Sequence, residues 1–192
     1  VGKTVEVEAD DKQHSIISPS GMERVLACPG SVPKLAGPRD NQDLSFIVTR
    51  EMANAVEVVV DYIRNIKEKA GKLVKLVPEF EVWIKCLDFR GQKGHGTIDV
   101  YLESETEVHV FDLKFGKGKV VEVEDNAQLN LYQIGTITKE NKRKRRFNHI
   151  AQPRAPHPDG PCRTEEITFK ALMEFEEFVL KQVKSIDGPS PC

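Results

Sequence analysis

An acidic and a basic side chain lie two residues apart near the end of one predicted strand. Residues 108–114 are rich in β-branched and aromatic residues, and the glycine-containing stretch 115–118 follows them, which is typical of a strand that runs into a loop. Because strand side chains alternate, Asp112 and Lys114 are predicted to share one face while Leu113 points to the other. These charges at the end of a buried strand cost desolvation free energy unless a divalent metal or a phosphate compensates them.

A second predicted strand, 96–102, adds another carboxylate to this pair. The short acidic segment 103–107 joins it to the first strand as a hairpin turn, so Asp99 is expected to lie beside Asp112. Magnesium is commonly held by one or two carboxylates together with substrate phosphate and water. Two carboxylates and Lys114 therefore have the composition of a metal-dependent phosphodiesterase site.

The rest of the chain predicts a mixed α/β domain, with a central mixed sheet flanked by helices. The 192 residues are 39% hydrophobic and 30% charged, which is enough for one domain over 1–192 with a polar surface. Residues 1–14 are predicted to be flexible and 187–192 to form an irregular tail. Because the net charge is -2, binding of a nucleic acid would have to come from local basic patches.

Hydrophobic spacing and turn residues place the individual elements. Helices are predicted just before Pro29 and over 45–70, 127–137 and 170–186, and strands over 78–87, 96–102, 108–114, 119–124, 147–153 and 165–169. Trp83 is predicted to anchor its strand. The apolar stripe of the helix 45–70 consists of Met52, Val56, Val59, Val60, Ile63 and Ile66.

Glu51 lies at the edge of that stripe, and two interpretations of it stay open. A carboxylate at the edge of a buried helix face can reach a neighbouring sheet. Alternatively, Glu51 is a solvated glutamate of the first turn, where the helix dipole favours negative charge.

The densest cationic segment is a run of five basic residues just before the strand 147–153. Such a run is usually a solvated turn, and a nuclear-localisation motif is the weakest interpretation. Because it leads directly into a strand, we predict a hairpin tip that grips a phosphate backbone. The run consists of Lys142, Arg143, Lys144, Arg145 and Arg146.

The order of these motifs resembles the PD-(D/E)XK nuclease superfamily, in particular its RecB/Cas4-like exonuclease branch, which includes phage-encoded proteins. The resemblance covers about residues 15–185 and implies a restriction-endonuclease-like core. A lone Asp-x-Lys arises often by chance, whereas the ordered set with a downstream Gln-x-x-x-Tyr is specific. The matching segments are Gly-Thr-Ile-Asp-Val at 96–100, Asp-Leu-Lys-Phe-Gly-Lys-Gly at 112–118, Gln-Leu-Asn-Leu-Tyr at 128–132, Gln-Pro-Arg at 152–154 and the Ser-Pro-Ser-Gly opening at 18–21.

The resemblance also implies a role for each matching residue in holding Mg²⁺ or Mn²⁺. Asp99 and Asp112 would bind the metal together with the backbone carbonyl of Leu113. Lys114 would orient or activate the attacking water and stabilise charge in the transition state. Glu51 would touch the metal directly or through water.

The implied partner is DNA, bound at its single- or double-stranded ends. Gln128 and Tyr132 resemble the motif that contacts the DNA end or backbone, with Lys117 and the basic run as further contacts. The implied activity is a metal-dependent deoxyribonuclease, an exonuclease that serves phage or bacterial recombination, repair or replication beside a partner protein of that pathway.

Two departures from the family pattern affect these expectations. Val56 stands where the branch usually has a metal-binding histidine, and His95 either compensates or is a polar residue at a strand entry. Relatives often build a [4Fe–4S] centre on an N-terminal cysteine and a C-terminal cysteine cluster, and only Cys28 and Cys192 fit the ends of that pattern. Since four thiolates are the norm, an iron–sulfur cluster is not expected in this chain, and Cys86 is predicted to pack in the core.

Cysteine usage and segment hydropathy bear on location. The chain has four cysteines but no Cys-x-x-Cys pair, and no secretory signal or membrane-spanning run is seen, so we predict the cytoplasm, that of the bacterial host if the protein is phage-encoded. Two other functions stay open beside the nuclease. One is a non-catalytic nucleic-acid-binding module on a nuclease-like fold, which Val56 favours. The other is a structural or interaction protein with charged patches that only solvate it.

Overall fold

The structure, a computed structural model, describes Pro19 and residues 49–186. These residues form a five-stranded mixed sheet in the order β1-β2-β3-β4-β5, with helices on both faces, so the predicted mixed α/β fold is confirmed. The elements in chain order are α1 (Arg50–Lys69), β1 (Leu73–Trp83), β2 (His95–Ser104), β3 (Glu107–Leu113), α2 (Ala127–Gly135), β4 (Arg145–Ala151), β5 (Cys162–Ile167) and α3 (Phe169–Ser185).

Strand directions divide the sheet into two ends with different loops. Strands β1, β2 and β3 pair antiparallel, and β4 pairs antiparallel with β5, but β3 and β4 are parallel because α2 connects them. The last residues of β3 and β4 therefore lie at one end, which we call the Asp112 end. Glu107 and Arg145, the first residues of the same strands, pair at the other end, which we call the Arg145 end.

The core has two layers, one on each face of the sheet. The larger layer packs α2 and α3 against one face and includes Val108 and Val110 of β3. The smaller layer packs α1 against the other face and includes Phe111, with Leu113 at its edge. This alternation along β3 confirms the predicted facing of the strand, with Asp112 continuing the row of the two valines.

Helix α1 begins later in the chain than its apolar spacing predicts, and its buried face is rotated relative to the predicted apolar stripe. Thr49 caps it by accepting the Met52 N–H on its hydroxyl at 3.2 Å, so the helix begins at Arg50 rather than at residue 45. Ala55 and Val59 are its buried residues, whereas Val56 is 50% exposed. The predicted stripe was therefore wrong at Val56, whereas Ile63 and Ile66 pack inward as predicted.

The strand predicted over 119–124 is absent, because side chains satisfy this backbone in place of a neighbouring strand. Gln152 accepts the Val121 N–H at 3.0 Å and donates to the Lys119 carbonyl at 3.0 Å. Arg163 donates to the Val121 carbonyl at 2.6 Å. An extended segment held in this way makes no strand pairing, although its composition favours one.

The strand predicted over 78–87 is displaced toward the N-terminus, since β1 spans Leu73–Trp83. Residues 85–87 instead form a short 3₁₀ turn with Cys86 buried. Trp83 is 41% exposed, so its prediction as an anchor of the strand was wrong.

The remaining elements agree with the sequence pattern to within a few residues, and α3 buries Leu172, Val179 and Val183 as predicted. No helix among residues 49–186 is long and apolar enough to cross a membrane. The short helix before Pro29, the flexible segment 1–14, the tail 187–192, and the two cysteines Cys28 and Cys192 lie outside the described residues.

Candidate functional site

Asp99 and Asp112 are cross-strand neighbours at the Asp112 end of the sheet. The register pairs Val100 with Phe111, which places Asp99 opposite Asp112 one position further along the hairpin. Oδ2 of Asp99 accepts the Leu113 N–H at 2.6 Å. The predicted juxtaposition of the two carboxylates is therefore confirmed.

Both carboxylates are held where ionisation is disfavoured. Burial raises the pKa of Asp112, which is 4% exposed, although the Lys114 ammonium acts in the opposite direction. Burial also raises the pKa of Asp99, against the effect of the Leu113 N–H. Each carboxylate therefore gains from a nearby cation.

The side chains of β2 change from one face of the sheet to the other at Asp99. Ile98 packs in the larger core layer whereas Val100 packs against the smaller one, although residues two apart in a regular strand face the same side. Opposite Asp99 in β1 lies Glu79, whose φ of 49° falls in the left-handed region that glutamate rarely adopts. The negative charge of Glu79 adds to the raised pKa of Asp99. Sequence patterns missed Glu79 because strand register brings it there.

Lys114, Asp112, Gln128 and Tyr132 form one connected polar cluster. The Lys114 ammonium lies 2.8 Å from Oδ2 of Asp112 and donates to Oε1 of Gln128 at 3.1 Å. The Gln128 amide in turn donates to Oδ1 of Asp112 at 3.1 Å and to the Tyr132 hydroxyl at 3.0 Å. The structure thus brings together the two motifs, 14 to 20 positions apart in the chain, that the sequence predicted to act at one site.

Backbone contacts fix this cluster. The Lys114 N–H donates to the Ala151 carbonyl at 2.9 Å and so continues the parallel pairing beyond β3. Asn126 caps α2 by accepting the Leu129 N–H at 3.1 Å, which places Gln128 in the first turn above the sheet. Both side chains therefore come from rigid elements.

One oxygen of the cluster lacks a hydrogen bond. Oδ2 of Asp112 is buried and accepts none of ordinary geometry from the described residues, so the Lys114 ammonium is its compensating charge. A buried carboxylate oxygen in this state is a ready ligand for a cation.

The absence of a side chain at Gly96 leaves room for the ring of Tyr132. A Cβ at residue 96 would lie 2.7 Å from Cε1 of Tyr132 and 2.9 Å from Cγ of Pro19, which is closer than real Cβ contacts. Burial of the ring raises the pKa of the Tyr132 phenol to about 12. The hydroxyl is therefore neutral at physiological pH and able to donate a hydrogen bond.

Glu51 does not join Asp99 and Asp112. Its carboxylate lies at the surface, 2.7 Å from the Lys117 ammonium and 3.4 Å from Nε of Arg154. The hydrogen bond from Lys117 lowers the pKa of Glu51 most. Because α1 begins at Arg50, residue 51 is directed to the loop after β3, and the role of Glu51 as a metal ligand stays a prediction.

Arg154, from the Gln-Pro-Arg match, braces that loop. Its guanidinium donates to the Phe115 carbonyl at 3.1 Å and lies 5.0 Å from the centre of the Phe115 ring. Together with the contacts of Gln152 to residues 119 and 121, this holds the loop against the end of β4. Arg154 and Gln152 are thus structural neighbours of the site that sequence patterns alone did not assign a role.

The basic run is at the Arg145 end and is not a hairpin tip. It follows α2 and enters β4, which is parallel to β3, so the five steps along β3 from Glu107 to Asp112 separate Arg145 from Asp112 by about 17 Å. Arg146 is 1% exposed, and its terminal nitrogens donate to Gln133, Thr136 and Asn141. The prediction of Arg146 as a DNA contact was therefore wrong.

Two further members of the run are paired with acidic residues. Lys144 lies 2.7 Å from Glu103, and Arg145 contacts Glu107 at 3.0 Å and Glu166 at 2.8 Å. Of the five residues of the run, all of them described by the structure, Lys142 and Arg143 are the two that are exposed without an ion pair. The run serves mainly to join α2, β2 and β4.

Other candidate ligands do not extend the site. Among residues 49–186, no three His, Cys, Asp or Glu side chains converge as a metal-binding group. Val56, at the usual histidine position, faces outward, and His95 is the first residue of β2, in register with Trp83. Cys86 is buried in the core, as predicted, where burial raises the pKa of its thiol to about 12.

The chain is similar to one protein family and to a solved structure. A family model described as "Protein of unknown function (DUF2800)" matches residues 36–186. One similar solved structure, titled "Crystal structure of SSO0001", has a TM-score of 0.37 and 10% sequence identity over 91% of this chain and 79% of that chain. At this TM-score the likeness carries no argument about the site.

Proposed function

The chain belongs to the DUF2800 family, and we propose that it is a metal-dependent DNA nuclease that hydrolyses phosphodiester bonds from DNA ends. The observation that carries the proposal is the polar cluster in which Gln128 joins Asp112, Lys114 and Tyr132. Asp99 lies beside this cluster on the neighbouring strand. The same residues, in the same order, carry the resemblance to the RecB/Cas4-like exonucleases.

The residues fit a hard divalent cation such as Mg²⁺ or Mn²⁺. Two carboxylates with pKa values raised by burial lie side by side, and Oδ2 of Asp112 is buried without a hydrogen bond. Asp99, Asp112 and the Leu113 carbonyl would hold the ion, with water and substrate oxygens as its other ligands. When bound, such an ion lowers the pKa of an attacking water and polarises the phosphoryl oxygens.

Lys114 is placed to stabilise the negative charge that develops on the phosphate. Its ammonium has three N–H groups; one donates to Oε1 of Gln128, and the charge lies 2.8 Å from Oδ2 of Asp112 without a hydrogen bond of ordinary geometry. The remaining N–H groups can meet a phosphate oxygen or orient water. An ammonium fixed by two partners costs little reorganisation when charge builds up beside it.

Tyr132 and Gln128 are placed to position the DNA. Because the Tyr132 hydroxyl accepts a hydrogen bond from Gln128, its own proton is available for a phosphate oxygen. Gln128 at the same time holds the carboxylate and the ammonium at a fixed separation. Both residues therefore align the scissile phosphate with Asp112 and Lys114.

The proposal leaves Glu51 out of the metal site. Its ion pairs with Lys117 and Arg154 position the loop after β3. In this role Glu51 holds the two cations near the path of the DNA and neutralises their charge when no DNA is bound.

End-labelled linear DNA and covalently closed circular DNA, each single- and double-stranded, test the proposal. The protein should degrade linear DNA with Mg²⁺ or Mn²⁺ and leave it intact with EDTA, and Lys114→Ala and Asp112→Ala should fold but not cut. Cutting of closed circles would show an endonuclease at the same site. Full cutting by either variant would overturn the assignment.

A second candidate is the non-catalytic nucleic-acid-binding module. The observation that favours it is that, among residues 49–186, no three acidic side chains converge as a metal-binding group, and Glu51 is ion-paired with Lys117. Retention of DNA in a shift assay with no cutting under any divalent metal would support this candidate against the nuclease.

A further inference from the structure

An exposed aromatic ring lies at the edge of the sheet, near the candidate site. Trp83, the single tryptophan of the chain, ends the edge strand β1 and is 41% exposed. Its Nε1 donates to Oδ1 of Asp88 at 2.8 Å, and the same oxygen accepts the Gly94 N–H at 2.8 Å. The ring is therefore held in one orientation although it faces solvent.

Two ammonium groups flank this ring. Nζ of Lys93 lies 4.6 Å from the ring and Nζ of Lys85 lies 4.9 Å from it. Neither lysine has an ion pair with another residue of the described part of the chain. The loop 84–94 carries three cationic side chains and one carboxylate, a local charge of +2, whereas the whole chain has a net charge of -2.

The loop 84–94 lies at the Asp112 end of the sheet. Trp83 is in register with His95, which precedes Asp99 by four residues in β2, a distance of about 13 Å along the strand. Because an extended single strand advances farther per nucleotide than the roughly 3.4 Å of a duplex strand, this distance corresponds to at most about four nucleotides. A strand that contacts Trp83 therefore reaches the carboxylates within a short segment.

We propose that Trp83, Lys85 and Lys93 form a platform that binds the single-stranded part of the DNA substrate. An unpaired base stacks on the indole, and the two ammonium groups move from the ring to the adjacent phosphates. Proteins that bind single strands combine aromatic stacking with cationic contacts in this way. A paired base inside a duplex has no free face for the indole. The proposal rests on the proposed function in so far as the bound strand leads to Asp99 and Asp112.

Because Trp83 is the only tryptophan, its fluorescence reports this contact directly. With EDTA present to prevent cutting, we expect a single-stranded oligothymidylate to quench the emission, and a blunt duplex of equal length to leave it nearly unchanged. Anisotropy of a labelled oligonucleotide then gives the affinity. Trp83→Ala should raise Kd about tenfold or more, and Trp83→Phe should raise it less.

The lysines are tested through the salt dependence of binding. In the double variant Lys85→Ala/Lys93→Ala, the slope of log K against log salt concentration should fall by about 1.4, as expected for two lost phosphate contacts on a single strand. The matched control is Lys142→Ala/Arg143→Ala, which removes two exposed cations at the Arg145 end and should leave the slope unchanged.

The outcomes separate this proposal from the nuclease. Saturable binding without quenching, equal quenching by the duplex, or an unchanged Kd in Trp83→Ala would overturn the platform even if the protein cuts DNA. Quenching by the single strand, with loss of affinity in Trp83→Ala, would support the platform even if no metal yields cutting. Thermal melting of each variant checks that the fold is retained.

Discussion

Both ends of the sheet gather charged side chains, but the contacts of those side chains differ. At the Arg145 end, Arg146 is buried among neutral oxygens of α2 and the following turn, and Lys144 and Arg145 contact acidic residues. At the Asp112 end, Lys114 is paired but partly exposed, and Oδ2 of Asp112 has no hydrogen bond among the described residues.

This difference separates charges that hold the fold from charges that are open to a ligand. The basic run is dense in sequence, yet most of its cations already have partners within the protein. The Asp112 end has fewer cations per residue, but its carboxylates are buried at a cost that a bound cation would relieve. The burial of its carboxylates, rather than the density of charge along the sequence, therefore indicates the candidate site.

The largest expected effect follows from Asp112→Asn. Since burial raises the folded-state pKa of Asp112 above 3.8, the stability that this group contributes at low pH is lost as the pH rises through the folded pKa. The amide removes this cost, so at pH 7 we expect an unchanged or higher Tm together with a loss of cutting of about 10²- to 10⁴-fold. A fall in Tm of more than about 3 °C, or roughly 1 kcal/mol for a chain of this size, would contradict the comparison.

Arg146→Met should lower the stability of the fold and leave cutting nearly unchanged, which is the reverse of the effect expected for Asp112→Asn. It leaves the oxygens of Gln133, Thr136 and Asn141 without their buried donor, so the free energy of unfolding should fall by about 3 kcal/mol. Cutting per folded molecule should stay within about twofold of wild type. Urea denaturation measures the first effect, and Arg143→Met, at an exposed neighbouring position, should change stability by no more than about 0.5 kcal/mol. A selective loss of cutting in Arg146→Met would place a function at the Arg145 end.

A smaller effect is the pH dependence of stability that arises from two buried histidines on the face of the sheet opposite Asp112. His109 and His149 are hydrogen-bonded at 2.9 Å, and His149 also contacts Tyr62 and Thr164. Burial lowers the pKa of His109 below 6.5, and burial, followed by the charge of His109, lowers that of His149 well below 6.5. The contact with Glu107 and the charge of Arg145 act on His109 in opposite directions.

Because the folded pKa values are depressed, the stability from these neutral histidines is present above pH 6.5 and is lost as the pH falls below it. We expect Tm to decrease between pH 7.5 and 5.5, and His149→Gln to be less stable at pH 7.5 with a flatter profile. A wild-type Tm that does not change across this range would show that the histidine pair titrates normally.

The smallest effect compares two exposed lysines, one at each end. Lys117→Ala should reduce the salt slope of DNA binding by about 0.7 to 0.9, the contribution of one phosphate contact. Lys142→Ala should leave the slope unchanged. Equal effects of the two variants would mean that DNA covers both ends of the sheet.

The strand pattern predicted the centre of the candidate site well. Alternation along 108–114 placed Asp112 and Lys114 on one face, and the hairpin brought Asp99 beside them, because both features depend on local geometry of period two. The contact of Gln128 with Asp112 and Lys114 agrees with the family resemblance, which implied that the two motifs act together.

Other predictions were less successful where contacts between distant parts of the chain decide the position of a segment. The run 142–146 was expected at a hairpin tip, but a parallel connection through α2 moves it to the opposite end, and no local pattern distinguishes the two. The ion pairs of Glu51 with Lys117 and Arg154 depend on where α1 begins and how the helix is rotated, which its apolar spacing does not determine. The segment 119–124 has strand composition, yet the side chain of Gln152 replaces the partner strand.

Digestion of end-labelled linear DNA with Mg²⁺ tests the central claim most directly, with Lys114→Met and Arg143→Met compared under identical conditions. Each variant removes one cation, the first at the Asp112 end and the second at the Arg145 end. We predict that wild type and Arg143→Met degrade the DNA at similar rates, that EDTA stops both, and that folded Lys114→Met does not cut. Undiminished cutting by Lys114→Met, or loss of cutting in folded Arg143→Met, would contradict the account.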